Sequence, residues 1–344
     1  MTTTTLPDRR IADLLAVPAE QYDLAWLKNS LQVAIELELS TLPPYLCGYW
    51  SCQQQQDPAA QLINSVILQE MLHMGLAANM LTSIGGVPAI NTAAPSYPSK
   101  GLPGGVLPSL TVYLGGLTTD YIGNVYMGIE YPEKGPITSP PVDVPTIGQF
   151  YSAISAAFGQ VNPTFSGNNQ MTATIGQNTL GQNNVLNAVT SLTDAQAAIS
   201  EITEQGEGSS TSPDDEGSEL AHYYRFGEIF NGKQLVLEGN SWVYQGAAVP
   251  FPSTYPMAEV PAGGWPNPPD NVSALLKTFD ATYKDVLDNL QSAWQNGSAT
   301  DLGTAIGAMF NLGSTASQLM QIELADGSGT YGPDFIYPIS SAPS

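Results

Sequence analysis

Apolar residues in the first part of the chain recur with the period of a helix. In "DLAWLKNSLQVAIELELSTLPPYLCGYW", Leu24, Leu27, Leu31, Ala34, Ile35 and Leu39 follow the i, i+3, i+4 rhythm of one buried stripe. The spacing predicts a helix over 22–56. Pro43 and Pro44 should kink it rather than end it, because the apolar pattern resumes at Tyr45 and Leu46. A second helix, 58–85, carries its own boundary signals: Asp57 as a cap, Pro58 in the first turn, and Gly85–Gly86 at the end. The pattern then breaks. Residues 87–192 read as a long Pro- and Gly-rich insertion with a strand or two and one short helix at 146–160, and its Asn- and Gln-rich run 162–184 reads as loop. Helical spacing returns at 193–208, where Thr193 and Gln196 have capping-box spacing, and again at 217–231 after the break "GSSTSPDDEG". "KQLVLEGNSWVYQG" alternates as a hairpin, and two last helices fill 270–296 and 299–325. The expected fold is mainly α: a four-helix core from 22–56, 58–85, 193–208 and 217–231, with the last two helices packed outside it, all within one domain spanning 1–344.

Two short stretches change the picture from fold to chemistry. The only two histidines of the 344 residues lie in "EMLHM" and "ELAHYY", and each follows a glutamate by three positions. With 15 Glu in the chain, chance would place Glu three before both histidines roughly once in 500. On a helix such residues share one face, so Glu70 with His73 and Glu219 with His222 are each a ready-made metal-binding edge. Two such edges plus one Glu from each of two other helices make the ligand set of dinuclear carboxylate bundles. The first helix offers Glu36 or Glu38, which are two apart and cannot share a face. The helix 193–208 offers Glu201, Glu204 and Glu207; a solvated face accounts for Glu201, while Glu204 and Glu207 remain alternatives. A short loop to the next helix makes those two helices antiparallel neighbours, which brings Glu204 and Glu207 to the height of Glu219 and His222. A zinc-protease helix would need two histidines four apart, and this chain has none.

Composition bounds the partners. Nine Lys+Arg against 31 Asp+Glu give a net charge of −22, which argues against nucleic acid and anionic membrane as partners and for a self-repelling surface. No apolar run is long enough to span a bilayer, and the start of the chain has no long apolar signal segment, so the default location is cytoplasmic. A homo-oligomer remains compatible with all of this. Cys47 and Cys52 lie about 150° apart on a helix, poorly set for bridging, and read as half-buried thiols. Arg225, the only arginine after position 10, could hold a substrate carboxylate, but pairing with Glu228 or a ligand carboxylate is the simpler role. Tyr45, Tyr223 and Tyr224 read as core.

The stretches "IELELSTLPPYL", "EMLHM", "ITEQGEG", "HYYRF" and "YGPDFIYP" together resemble the ferritin-like domain of the iminophenyl-pyruvate dimer synthase type, found in violacein and rebeccamycin pathway proteins. The likeness spans about 22–340. In bacterioferritins too a ligand Glu precedes a Tyr by seven residues, as Glu38 precedes Tyr45, and that carry-over selects Glu38 over Glu36. The resemblance implies two metal ions, iron first with manganese or zinc as alternatives. Glu70 and Glu219 would bridge them, His73 and His222 would bind one each, and Glu38 with Glu204 or Glu207 would be terminal ligands. The implied activity is that of an oxidoreductase acting on a small organic molecule with oxygen or peroxide; a ferroxidase or a metal-binding structural protein is the alternative.

Overall fold

The computed structural model describes residues 10–132, 146–208, 212–214 and 219–337. The Pro-rich run 133–145, much of the break at 208–217 and the first two residues of the expected helix 217–231 lie outside these. A short helix α1 (Ile11–Leu15) leads into α2 (Leu24–Ser51), which starts where the Asp23 carboxylate accepts from the Trp26 N–H at 2.8 Å. The helix runs straight through Pro43 and Pro44 to Ser51. Pro44 has no N–H for the Ser40 carbonyl four residues back, and the Tyr97 hydroxyl donates to that carbonyl instead, at 2.5 Å. Helix α3 (Pro58–Ser83) has Pro58 in its first turn as expected, although Asp57 makes no side-chain cap.

The insertion is more ordered than its composition suggests. β1 (Ser99–Leu102) and β2 (Val106–Val112) form one antiparallel pair, bulged at Gly101, whose φ is +69°. Then α4 (Thr119–Tyr121), a π-helical turn Ile122–Tyr126 and α5 (Met127–Ile129) make a continuous helical stretch where none was expected. The signal was present: Ile122, Val125, Tyr126 and Ile129 are buried at i, i+3, i+4 and i+7. Helix α6 (Ile147–Val161) is capped by Thr146. The expected loop 162–184 in fact contains β3 (Ala173–Gln177) and leads into β4 (Asn183–Leu186), a second hairpin laid against α3, with Gly176 at φ +70° over Leu68.

Helix α7 (Leu192–Glu207) starts at Ser191, whose hydroxyl accepts from the Asp194 N–H at 3.1 Å; the cap is thus two residues before the expected Thr193. Helix α8 (His222–Asn231) begins five residues later than expected, so Glu219 precedes it. The hairpin β5 (Lys233–Glu238) and β6 (Ser241–Ala248) pairs in the register Leu235 with Tyr244 and Val236 with Val243. Last come α9 (Asp270–Asn296) and α10 (Ala299–Leu319), a helical hairpin packed on the outside of α2 and α3; α10 stops at 319 rather than 325. The fold is mainly helical, with only two-stranded sheets among the described residues. Cys47 and Cys52 are fully buried free thiols; burial raises the Cys47 thiol well above its ordinary value and pushes Cys52 up to about 12. Among the described residues no helix is long and apolar enough to cross a membrane.

One buried side chain ties three of these layers together. Asn79 of α3 is fully buried and uses all of its hydrogen-bonding capacity. Its amide donates to the Met171 and Asn187 carbonyls at 2.8 Å each. Its oxygen accepts from the Met171 N–H at 3.0 Å and the Trp294 indole at 2.8 Å. Asn79→Leu would strand two donors and two carbonyls, each worth about 1–3 kcal/mol when left unpaired. The expected outcome is a lower urea midpoint at an unchanged slope, corresponding to about 3 kcal/mol or more; an unchanged midpoint would show that water replaces these bonds.

Candidate metal centre

Helix α3 is the axis of the site. Glu70 and His73, one turn apart, face α2 and α8. From α2 comes Glu38, whose Oε2 lies 3.7 Å from His73 Nδ1. Glu36 points elsewhere, and accepts from Gln32 at 3.1 Å. From α8 comes His222, whose Nδ1 lies 2.9 Å from Glu70 Oε1 and 3.4 Å from Glu130 Oε2. Glu130, just after α5, is the member that sequence reasoning missed. Two overlapping groups result, Glu38–Glu70–His73 and Glu70–Glu130–His222, each with ligand atoms within 4.8 Å of one another. The two imidazoles are near-parallel, 5.5 Å between centroids and 21° between planes.

Each half is built alike. The inner nitrogen Nδ1 faces carboxylates, and the outer nitrogen Nε2 meets a glutamine oxygen: Gln205 for His73 at 2.8 Å, Gln69 for His222 at 3.1 Å. Gln69 cannot be flipped. Its amide NH2 donates to Glu219 at 2.9 Å, and its oxygen also accepts from the Arg225 guanidinium. An amide oxygen only accepts, so His222 must carry its proton on Nε2 and present Nδ1 inward. A tyrosine hydroxyl holds one oxygen of each outer carboxylate: Tyr151 donates to Glu38 Oε1, and Tyr45 donates to Glu130 Oε1 at 2.5 Å. The Thr41 hydroxyl donates to Glu70 Oε2 at 2.8 Å.

The electrostatics follow from burial and alternation of sign. Burial by itself would raise the Glu70 carboxyl, but the flanking His222 and His73 outweigh it and hold it well below the usual carboxylate range. Burial raises Glu38, reinforced by Glu70 and opposed by His73 and Tyr151. Burial alone would lower both imidazoles; Glu38 and Glu70 lift His73 well above 6.5, and Glu130 and Glu70 lift His222. Burial first, then the neighbouring carboxylates, raise Tyr45 and Tyr151, so both stay hydrogen-bond donors. Although 2.9 Å from Glu70, His222 Nδ1 is misaligned for a hydrogen bond and is a buried ring nitrogen without one.

The remaining expected residues fall in different places. Glu207 lines the small cavity at the site, about 60 Å³, together with Glu38, Glu70, His73 and Glu130. Glu204 turns to the Ser200 hydroxyl, which donates to it at 2.6 Å. Glu219 is buried, but its oxygens are taken by the Thr179 N–H and hydroxyl, by Gln69, and by Arg225 at 3.4 Å. Because α8 starts at His222, the helical face that Glu219 was expected to share does not extend to it. Arg225 also donates to Ser65 at 2.9 Å and to the Leu220 carbonyl; it is 1% exposed and out of reach of a substrate. Much of the remaining cavity wall is apolar, including Leu37 of α2, Leu102 and Val106 around the β1–β2 turn, and Ile202 of α7, with threonine and tyrosine hydroxyls among them.

These features agree with comparisons to known proteins. No curated protein matches the sequence. A crystal structure of a ferritin-like protein from Caulobacter vibrioides superposes with a TM-score of 0.62 at 24% identity, covering 91% of this chain and 98% of that one. It supports the fold alone. The family model for ferritin-like proteins matches residues 31–231, the span that holds most of α2, all of α3, α7 and α8 and every residue of the site, and the chain belongs to the ferritin-like family.

Proposed function

We propose that this chain, acting as one domain, is an oxidoreductase of the iminophenyl-pyruvate dimer synthase type of ferritin-like domain. It would hold two metal ions, iron with manganese or zinc as alternatives, and act on a small organic molecule with oxygen or peroxide. The observation that carries this reading is the pair of buried groups that share Glu70, Glu38–Glu70–His73 and Glu70–Glu130–His222, each with its ligand atoms within 4.8 Å of one another. Buried carboxylates this close repel one another unless protons or cations lie among them, and a bound cation would answer both groups at once. The donor set also fits, since imidazole and carboxylate suit iron, manganese and zinc. Glu38 and His73 would hold one ion, Glu130 and His222 the other, with Glu70 between them. Glu207 is the further carboxylate at the cavity. Four carboxylates and two neutral imidazoles balance two divalent ions, and this count needs no ligand role for Glu219.

Bound metal would supply the redox chemistry and the affinity for oxygen. The protein's part is positional. Gln69 and Gln205 meet the outer nitrogen of each ring so that the other faces inward, Tyr45 and Tyr151 hold the outer carboxylates by hydrogen bonds, and Leu37, Leu102, Val106 and Ile202 form an apolar part of the cavity wall. That wall suits an uncharged organic substrate. The volume at the site, about 60 Å³, admits a few waters or a diatomic molecule, and it favours a second reading in which iron is itself the substrate. Anaerobic loading with ferrous iron followed by oxygen separates the two. An oxidase stops at two irons per chain and needs a reductant to continue, whereas an iron-handling protein keeps oxidising added iron.

Protein produced with iron should contain close to two ions per chain by elemental analysis, and His73→Ala or His222→Ala should lose at least one. Glu207→Gln should lower metal content severalfold, while Glu204→Gln leaves it unchanged. One tightly held zinc, indifferent to all four changes, would end the dinuclear reading.

A pH dependence follows from the raised imidazoles. Without metal, carboxylates hold protons on His73 and His222 above pH 6.5, and an incoming ion must displace them. Affinity should therefore fall on acidification, roughly tenfold per pH unit for each proton displaced, and loading at pH 7 should release protons. Calorimetry in buffers of different ionisation enthalpy measures that release; zero release would mean that the rings enter the site already neutral.

A further inference from the structure

The volume at the metal centre is not the largest in the protein. A second cavity, about 380 Å³, opens between the start of α3, the β3–β4 turn and the β5–β6 hairpin. That size falls within the range of small-molecule sites, roughly 300–1,000 Å³. Its wall is amide and hydroxyl: Gln61 and Asn64 of α3, Gln177 and Asn178 at the end of β3, Gln234 of β5, the hydroxyl of buried Ser65 and that of exposed Thr179. Several already have partners: Gln61 donates to the Gln55 carbonyl, Asn178 bonds within its own turn, Ser65 donates to the Leu62 carbonyl and Thr179 to Glu219. Leu62 and Val249 supply an apolar strip. No Lys, Arg or His lines it among the described residues. Its one carboxylate is Glu228 of α8, 6% exposed, with one oxygen accepting from the Leu235 N–H at 2.8 Å. Burial raises that carboxyl, only partly offset by the Leu235 N–H and Arg225.

This lining discriminates between ligand classes. An anion would face Glu228 with no lining cation to offset it. A wholly apolar molecule would cover the side-chain amides of Asn64 and Gln234, which make no hydrogen bond among the described residues and would lose water without replacement bonds. Those amides both donate and accept, and so do the hydroxyl groups of a sugar or polyol, whose C–H edges suit Leu62 and Val249. We propose that this cavity binds a neutral polyhydroxylated molecule of monosaccharide size. Its wall is shared with the network behind the metal centre. Ser65 accepts from Arg225, Thr179 donates to Glu219, and both Arg225 and Glu219 bond to Gln69, which meets His222. Binding at the cavity does not depend on metal, so the two readings fail separately.

Saturation-transfer NMR on the full chain without added metal tests the cavity. The probes are methyl glucoside and sorbitol, with succinate and 1,4-diaminobutane as contrasts. The expected result is a saturable signal from methyl glucoside or sorbitol, at least tenfold weaker binding in Ala248→Phe, and weakened binding in Asn64→Leu. Ala248 is an exposed strand position at the mouth, so the added ring blocks entry without touching the buried network. No saturable signal from either polyol, binding of succinate or the diamine alone, or polyol binding unaffected by both substitutions would each overturn the proposal.

Discussion

The carboxylate of Glu70 lies almost wholly buried between two imidazole rings, and much of the bundle is arranged around keeping it there. Removing an ion of that size from water has an effective penalty of several kcal/mol, which only close opposite charge and hydrogen bonds offset. His222 and His73 supply the first and Thr41 the second. The rings are buried too, so each needs a partner for its outer nitrogen, and Gln69 and Gln205 serve. Gln69 in turn needs a donor and an acceptor to fix its amide, and these are Arg225 and Glu219, a charged pair that would be costly to bury alone. Removing any one member of this chain leaves a buried polar atom unsatisfied somewhere else, so the polar residues behind the centre are as constrained as those in it.

The backbone has been shaped to the same end. Glu130 follows a helical stretch that includes a π-helical turn, and that stretch is pinned to α2. The Tyr126 hydroxyl donates to the Pro44 and Tyr45 carbonyls at 3.0 and 3.2 Å. It can approach that closely only because residue 48 is glycine; a Cβ there would lie 1.9 Å from the hydroxyl oxygen. The paired prolines at 43 and 44 remove N–H groups from α2 just where the tyrosines of the insertion come to rest on it. Proline and glycine in this helix are thus contact features, and their loss of helix propensity is offset by what they allow the insertion to do.

The sequence spoke most clearly where chemistry coincided with periodicity. The long helices were legible because their apolar stripes are uninterrupted; Glu70 and His73 stood out as polar residues inside such a stripe, His222 through the same Glu-x-x-His spacing, and Glu38 was preferred to Glu36 only through the family resemblance. Glu130 was not legible, because it follows a helical stretch of only a few turns within a Pro- and Gly-rich region, where composition overrode a correct i, i+3, i+4, i+7 signal at Ile122 to Ile129. Glu219 illustrates the opposite error. The Glu-x-x-His spacing implies a shared face only if the helix already includes the glutamate, and α8 begins at the histidine. Asn- and Gln-rich composition likewise concealed the β3–β4 hairpin, whose short strands carry few apolar residues although both lie against α3.

The two halves of the centre match in ligand type but not in support. Behind His222 stands a largely buried network: Gln69 and Ser65 of α3, Arg225 of α8, and Glu219 just before α8, itself held by Thr179. Behind His73 stands Gln205, partly exposed in the last turn of α7, next to Gly206 and two residues from Glu207. A Cβ at Gly206 would meet nothing within 4 Å, so this glycine is not there to make room. Its effect is on the helix, which it weakens by about 1 kcal/mol relative to alanine, in a turn that already ends at Gly208 in a positive-φ conformation. Fraying of that turn would move Gln205 and Glu207 together, one from the outer side of His73 and the other from the cavity wall. Behind His222, by contrast, Gln69 sits in the middle of α3. The support of the His73 ring is therefore the more easily disturbed of the two.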